Sequence, residues 1–290
     1  MLAMEIPECG PWNVSREAYF ADVTRVSHHA LLDFERSIPY FAGRYVTGTI
    51  PAPEPSAAMK RGSAFDCFLL EPEAFGGRYA LAPEGIDRRT SRGKAEWADF
   101  EAARAGRELV TAADYNLLQA MRAGVLANPH ARRALEAPGR VQQPVVWTCP
   151  ATGMARKGLP DKVLTNGLVI DLKSLATEFF GQRLPIDAAL AKATANYLYH
   201  LQAATYLEGC WEALRADGPF VLIGAAKEPP HECIVAEIEP DALALARRHN
   251  LRLLEELAGR RRTGDWSGRC QGKIQTIALP KWAYAREATS

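Results

Sequence analysis

Apolar residues at Ala30, Leu31 and Phe34 in SHHALLDFER (27–36) fall at helical spacing, with Ser27 placed to cap the first turn. Prolines crowd 51–55 into a loop. The run GSAFDCFLL (62–70) is small, then apolar, and stops at Glu71-Pro72, which predicts a buried helix carrying one acid, Asp66. A basic loop opens DRRTSRGKAEWADF (87–100) and leads into another helix, and helical spacing continues over 112–127 and 130–137. The period then changes. VQQPVVWT (141–148) reads as strand and 149–153 as a turn. Two strands follow at 154–163 and 168–174, joined by the hairpin signal Thr165-Asn166-Gly167. A long amphipathic helix is predicted over about 186–214, strands over 219–225 and 232–238, a helix over 241–261, and a short strand near 274–279. Strands with helices before and after them predict an α/β (α+β) fold with a mixed central sheet flanked by helices. We expect one domain over 1–290, helical to about 140 and carrying its core from about 141.

Composition narrows the class. The 290 residues are 48% hydrophobic and 24% charged, enough apolar material for a substantial core, and no apolar run reaches the length of a membrane span. Residues 1–12 lack a basic-then-apolar layout, so the expected location is the cytoplasm. The six cysteines form no C-x-x-C pair and no cluster with histidine, which argues against a zinc or iron–sulfur centre. A net charge of +1 requires any nucleic-acid-binding role to rest on segregated charge, with basic residues along a channel and acids at a metal.

The chemistry concentrates in Leu159-Pro160-Asp161 and the run Val169-Ile170-Asp171-Leu172-Lys173-Ser174. Side chains alternate along a strand, so Asp171 and Lys173 share one face while Ile170 and Leu172 enter the core. Asp161 alongside them places two carboxylates and an ammonium at one spot, a set suited to hydrated Mg²⁺ and a phosphate, with Mn²⁺ as a substitute. The carboxylates would hold the metal, and Lys173 would orient water or neutralise charge on the phosphorane. Asp-x-Lys alone is common on solvated strand faces. Gln202 and Tyr206, four apart on the long helix, share a face that can pack back over this strand.

Together these segments resemble the PD-(D/E)XK nuclease superfamily, and within it the exonuclease domain of the exodeoxyribonuclease VIII (RecE) type. The likeness runs through GSAFDCFLLEPEAF (62–75), DRRTSRGKAEWADF (87–100), the W-x4-TG segment ending in LPD (147–161) and VIDLKS (169–174). It continues in the Gln-x3-Tyr helix, AKEPPHECIVAEI (226–238), TGDWSGR (263–269) and ALPKWA (278–283). The resemblance implies a restriction-endonuclease-like core and a metal-dependent exonuclease degrading one strand of linear duplex DNA 5′ to 3′. It also implies a toroidal homo-oligomer on duplex DNA ends and a single-strand annealing protein as partner. An endonuclease of the same superfamily and a catalytically weakened DNA-end-binding module are the alternatives.

Two departures stand out. Asp66 occupies the place of the family's usual histidine, where a carboxylate suits Mg²⁺ better than imidazole does. Asp66, Asp161 and Asp171 are therefore the expected metal ligands. Gln142 and Gln143 stand where a glutamate is usual. Arg88, Arg89, Arg92 and Lys94, with Trp97 nearby, are candidate phosphate contacts, as are Arg156 and Lys157 on the strand leading to Asp161. Arg260, Arg261 and Arg262 are read as complementing a helix dipole. His28, His29, His130, His231 and His249 are assigned no chemistry, and His200 is a weak candidate.

Overall fold

The computed structural model describes residues 9–272 and 274–279. In chain order, β1 (Gly10–Pro11) and α1 (Arg16–Ala21) lead into α2 (His28–Arg36), α3 (Ile38–Tyr45), α4 (Ala57–Leu70) and α5 (Pro72–Arg78). Then come β2 (Tyr79–Leu81), α6 (Ser91–Arg104), β3 (Glu108–Val110), α7 (Ala112–Ala127) and α8 (Pro129–Glu136). Next are β4 (Gly139–Val141), β5 (Val145–Thr148), β6 (Ala155–Gly158), β7 (Lys162–Leu164), β8 (Val169–Leu175), and the hairpin β9 (Glu178–Phe179) and β10 (Gln182–Arg183). The series closes with α9 (Ile186–Asn196), α10 (Tyr199–Leu214), β11 (Phe220–Ala226), β12 (Cys233–Glu237) and α11 (Pro240–Thr263).

Helix starts follow local chemistry. Ser27, Ser37, Ser56, Thr90 and Thr111 each accept a hydrogen bond from the amide three residues on, an arrangement worth about 1 kcal/mol per cap.

The central sheet has five strands in the order β12-β11-β8-β7-β4. β8 and β11 run parallel and the other pairs antiparallel, so the sheet is mixed as expected. Alternation along β8 divides the core. Ile170 and Leu172 join Ala64 and Phe65 of α4 and Leu118 and Met121 of α7. Val169 and Leu175 join Ala203, Tyr206 and Cys210 of α10 on the other side. Asp171 lies between those two apolar residues on the α10 face, 1% exposed, so its burial has to be matched by polar partners.

Four sequence expectations need correction. The strand predicted over 154–163 is two strands: β6 belongs to a three-stranded sheet with β1 and β5, and β7 to the central one. Pro160, which has no amide hydrogen to donate, stands where the chain passes between the sheets. The strand predicted over 141–148 is likewise interrupted at 142–144, where Gln142 has φ of 42° and Pro144 lacks a donor. The helix expected over 186–214 is α9 and α10, broken where Leu198 takes φ of 58° and lets Tyr197 stack on Tyr199. Residues 274–279 form no strand, and most of ALPKWA lies outside the described residues.

The predicted turn at 165–167 is present, with Gly167 at φ of 88°. α10 lies tightly on β5: a Cβ at Gly209 would come within 2.6 Å of the Trp147 ring, so only glycine allows this approach.

Candidate active site

Asp161, Asp171 and Lys173 come together as the sequence pattern implies. Asp171 directs one oxygen at the Lys173 ammonium and accepts a hydrogen bond from Gln202 Nε2 (3.0 Å) on the other. Asp161 reaches the same spot from the segment before β7, its Oδ2 accepting from the Leu172 amide at 2.7 Å. Its backbone carbonyl also accepts from Gln142 N at 2.9 Å. Burial, then the like charge of Asp171, pushes the Asp161 carboxyl up to about 7. Lys173 is disfavoured as a cation by burial, but Asp171 and Asp161 outweigh that and hold its ammonium above its usual range. Its Nζ also lies over the Tyr199 ring, 4.5 Å from the centroid.

Asp66 faces this group from α4. Burial and then the charge of Asp161 raise its carboxyl well above the usual range, with Asp171 adding to the effect and Lys173 and Arg16 opposing it. Gln202 is a direct partner of Asp171. Tyr206 is buried among core residues one turn on, and burial raises its hydroxyl pKa. Tyr206 therefore supports the helix face that carries Gln202.

Arg156 and Lys157 are placed differently from the sequence expectation. Arg156 is fully buried: its guanidinium pairs with Glu208 (2.8 Å), donates to Thr205 and lies over the Trp147 ring, so it presents no charge to a DNA backbone. Lys157 donates to the carbonyls of Tyr19 and Asp22. Arg88, Arg89, Arg92 and Lys94 are exposed. Arg88 covers Trp97 at 4.3 Å, Arg89 pairs with Asp87 and Arg92 with Glu96. Arg260 pairs with Glu256 at the end of α11, in keeping with a helix-terminal role.

Other residues near the cluster carried no signal in the sequence. Arg16 of α1 donates to Gln142 Oε1 (2.9 Å) and Ser63 Oγ (3.3 Å), and its charge acts on both Asp66 and Asp161. Gln143 points away, donating to the Trp12 carbonyl. His28, the buried first residue of α2, has its imidazole pKa lowered by burial, then by the charges of His29, Arg156 and Lys173. A histidine pair before an apolar run cannot reveal that α2 packs beside α10.

The donor set is hard oxygen, the chemistry a hydrated divalent cation accepts, and the burial and like charge that raise Asp161 and Asp66 are what such a cation would offset. Asp161 and Asp171 would hold it, with Asp66 opposite. Among the described residues no three Asp, Glu, His or Cys side chains are gathered into a ready cage, and Lys173 engages Asp171. All six cysteines are free thiols. A cavity of about 950 Å³ between α10 and α11 contains none of Asp66, Asp161, Asp171 or Lys173.

A solved structure from Eubacterium rectale, described as a "Putative exonuclease", superposes with a TM-score of 0.57 at 15% identity, over 94% of this chain and 98% of that one. That likeness shows the fold. No curated protein matches the chain. The model of the PDDEXK-like domain of unknown function (DUF3799) matches residues 33–280, a span that includes Asp66, Asp161, Asp171, Lys173 and Gln202, and the chain belongs to that family of the PD-(D/E)XK nuclease superfamily.

Proposed function

We propose that the protein is a divalent-metal-dependent deoxyribonuclease, an exonuclease that degrades one strand of linear duplex DNA 5′ to 3′. Mg²⁺ is the natural ion and Mn²⁺ a substitute. The observation that carries this reading is the buried Asp171, held between Gln202 and Lys173 with Asp161 beside it. A bound cation would supply polarisation of the scissile phosphate and a lowered pKa for the attacking water. Lys173 remains an ammonium at any working pH, so it serves as a fixed positive charge facing the phosphate rather than as a base. Gln202 fixes the Asp171 carboxylate through one oxygen. The exposed cations of the 87–100 segment, with Arg88 over Trp97, supply candidate contacts to the DNA backbone.

The wider reading follows the resemblance: a ring of subunits around the duplex, single strand left for an annealing protein in phage-type recombination, and a cytoplasmic setting. On location the structure adds only that, among the described residues, no helix is long and apolar enough to cross a membrane.

One observation favours a second reading, a DNA-end-binding module with weakened catalysis: Lys173 engages Asp171 and no ready ligand cage exists. Incubation with linear, nicked and circular duplex DNA in Mg²⁺, Mn²⁺, Ca²⁺ or EDTA separates the readings. Loss of linear duplex alone in Mg²⁺ and Mn²⁺, with binding but little cleavage in Ca²⁺, is expected. Full activity in EDTA defeats the metal mechanism, cleavage of circles indicates an endonuclease, and binding without cleavage in any metal supports the second reading.

A further inference from the structure

The carboxyl end of β8 continues directly into the β9–β10 hairpin, whose tip carries Phe180. The Phe180 side chain is entirely exposed, at 107% of its reference area, although aromatic residues of this size are seldom left wholly in water. Phe180 and Gly181 form the two-residue connection and both have positive φ, 51° and 76°. A turn of that shape is best served by Asn-Gly, and a bulky side chain at positive φ is unfavourable. Neither the core nor the turn accounts for a phenylalanine at this position.

The hairpin is fixed at its base. Thr177 is buried and donates to Glu228 Oε2 through its amide (2.8 Å) and its hydroxyl (2.9 Å), and its carbonyl accepts from Leu184 N at 2.7 Å. Lys192 of α9 lies over the neighbouring Phe179 ring at 3.9 Å and brings an ammonium to the same edge. Glu178 lies across from Arg183 in the strand register, one acid to one base, and Lys192 of α9 adds a further positive charge at this edge. From Lys173 to Phe180 the chain spans at most about 23 Å, at roughly 3.3 Å per residue. That is the length of about seven nucleotides of stacked strand.

An exposed aromatic beside a cation is how proteins hold unpaired bases, because every base offers a face to stack on and every phosphate a charge to meet. We propose that Phe180 is a stacking platform for an unpaired nucleobase no more than about seven nucleotides from the scissile phosphate, with Lys192 meeting the adjacent backbone. The proposal rests on the nuclease reading and names its specificity element: the site takes DNA ends whose last bases are unstacked.

The test uses the whole protein in Ca²⁺ with two probes, a blunt duplex and the same duplex with a single-stranded tail carrying 2-aminopurine. Wild type should quench 2-aminopurine emission. Phe180→Asn should abolish the quenching and weaken binding of the tailed probe about tenfold, with blunt-duplex affinity nearly unchanged. Phe180→Trp should restore both effects. Phe180→Asn suits the turn better, so its melting temperature should not fall, and the loss of binding is then not a loss of fold. If Phe180→Asn binds and quenches like wild type, the platform does not exist. A binding defect explained by a changed sedimentation mass would instead assign Phe180 to a contact between copies and overturn the proposal. If wild type binds neither probe, the nuclease reading fails together with it. If wild type and both variants bind the two probes alike, only the platform is lost and the nuclease reading stands.

Discussion

Replacing Asp161 by asparagine should stabilise the metal-free protein while removing catalysis, and the stabilisation should grow with pH. The Asp161 carboxyl ordinarily titrates at 3.8 and is pushed up to about 7 in the folded chain, by burial first and then by the charge of Asp171. Between those values the folded protein keeps a proton that the unfolded chain has released. The stability linked to that proton is therefore complete below 3.8 and is lost as pH rises through about 7. Each pH unit in the window is worth about 1.36 kcal/mol. The penalty that asparagine escapes is thus about 1–2 kcal/mol at pH 5 and about 4 kcal/mol at pH 8. These are ceilings, because one edge of the residue is open to solvent and its neighbours can relax. The Leu172 amide keeps its acceptor, since asparagine presents an oxygen in the same place. At about 2 °C per kcal/mol for a chain of this size, calorimetry in EDTA should show Asp161→Asn melting higher than wild type. The offset should be several degrees larger at pH 8 than at pH 5. Adding Ca²⁺ should raise the wild-type melting point at pH 8 and leave the variant almost unmoved. A variant that melts below wild type at both pH values, or by the same offset at both, would refute the claim that burial and like charge hold the Asp161 carboxyl up.

Lys173→Ala should lose about 10²–10³ in turnover while still binding Ca²⁺ by calorimetric titration; a wild-type rate would reduce Asp171-x-Lys173 to a structural ion pair. Gln202→Leu leaves an oxygen of the buried Asp171 without its donor, so melting should fall by an equivalent of about 1–3 kcal/mol along with kcat, and unchanged values of both would remove Gln202 from the site. Arg156→Ala strips Glu208 and Thr205 of a buried guanidinium and should cost about 3 kcal/mol of stability, with DNA affinity of the folded fraction unchanged. A selective loss of affinity in that variant would return Arg156 to the phosphate-binding set. Asp66→Asn should shift the Mg²⁺ midpoint of activity upward and Asp66→His less so; unchanged midpoints in both variants would take Asp66 out of the metal set.

What the sequence disclosed and what it hid follow from range. The Asp171-x-Lys173 face was legible because strand alternation is a local rule, and β8 obeys it with Ile170 and Leu172 in one cluster and Val169 and Leu175 in the other. The Gln202–Asp171 contact was legible as a face but not as a bond, since it depends on where α10 lands after the break at Leu198. The breaks at Gln142 and at Leu159-Pro160-Asp161 were missed although Pro144 and Pro160 mark them, because apolar residues resume on either side and only membership of different sheets separates the strands. Arg156 misled for a similar reason: a cation on a strand next to an acidic motif reads as exposed until Glu208, fifty-two positions later, is found beside it. Arg16 lay beyond the reach of any local rule, being joined to the site only through tertiary contacts with Ser63 and Gln142.

Those last contacts bear on how this chain tolerates its two departures from the RecE-type pattern. Where the resemblance leads one to expect histidine on the helix and glutamate on the strand before the first aspartate, the chain has Asp66 and the pair Gln142 and Gln143, of which Gln142 meets Arg16. Taken together, the exchanges keep the number of carboxylates and move one of them from the strand to α4. Moving an acid onto a buried helix face requires a counter-charge, and Arg16 is in position to provide it. Gln142 accepts a hydrogen bond from Arg16 without neutralising it, so the guanidinium remains free to lower the carboxyl pKa values of Asp66 and Asp161. A glutamate at 142 would have engaged Arg16 as an ion pair and left Asp66 facing Asp161 with less relief. Gln142 and Asp66 thus meet through Arg16, whose charge acts on Asp66 less than Asp161, Lys173 and Asp171 do. In melting curves against pH, Gln142→Glu should make stability fall more steeply as pH rises, because the Asp66 carboxyl pKa is raised further. That extra fall should vanish when Gln142→Glu is made in the Asp66→His background; an equal fall in both backgrounds would refute the link.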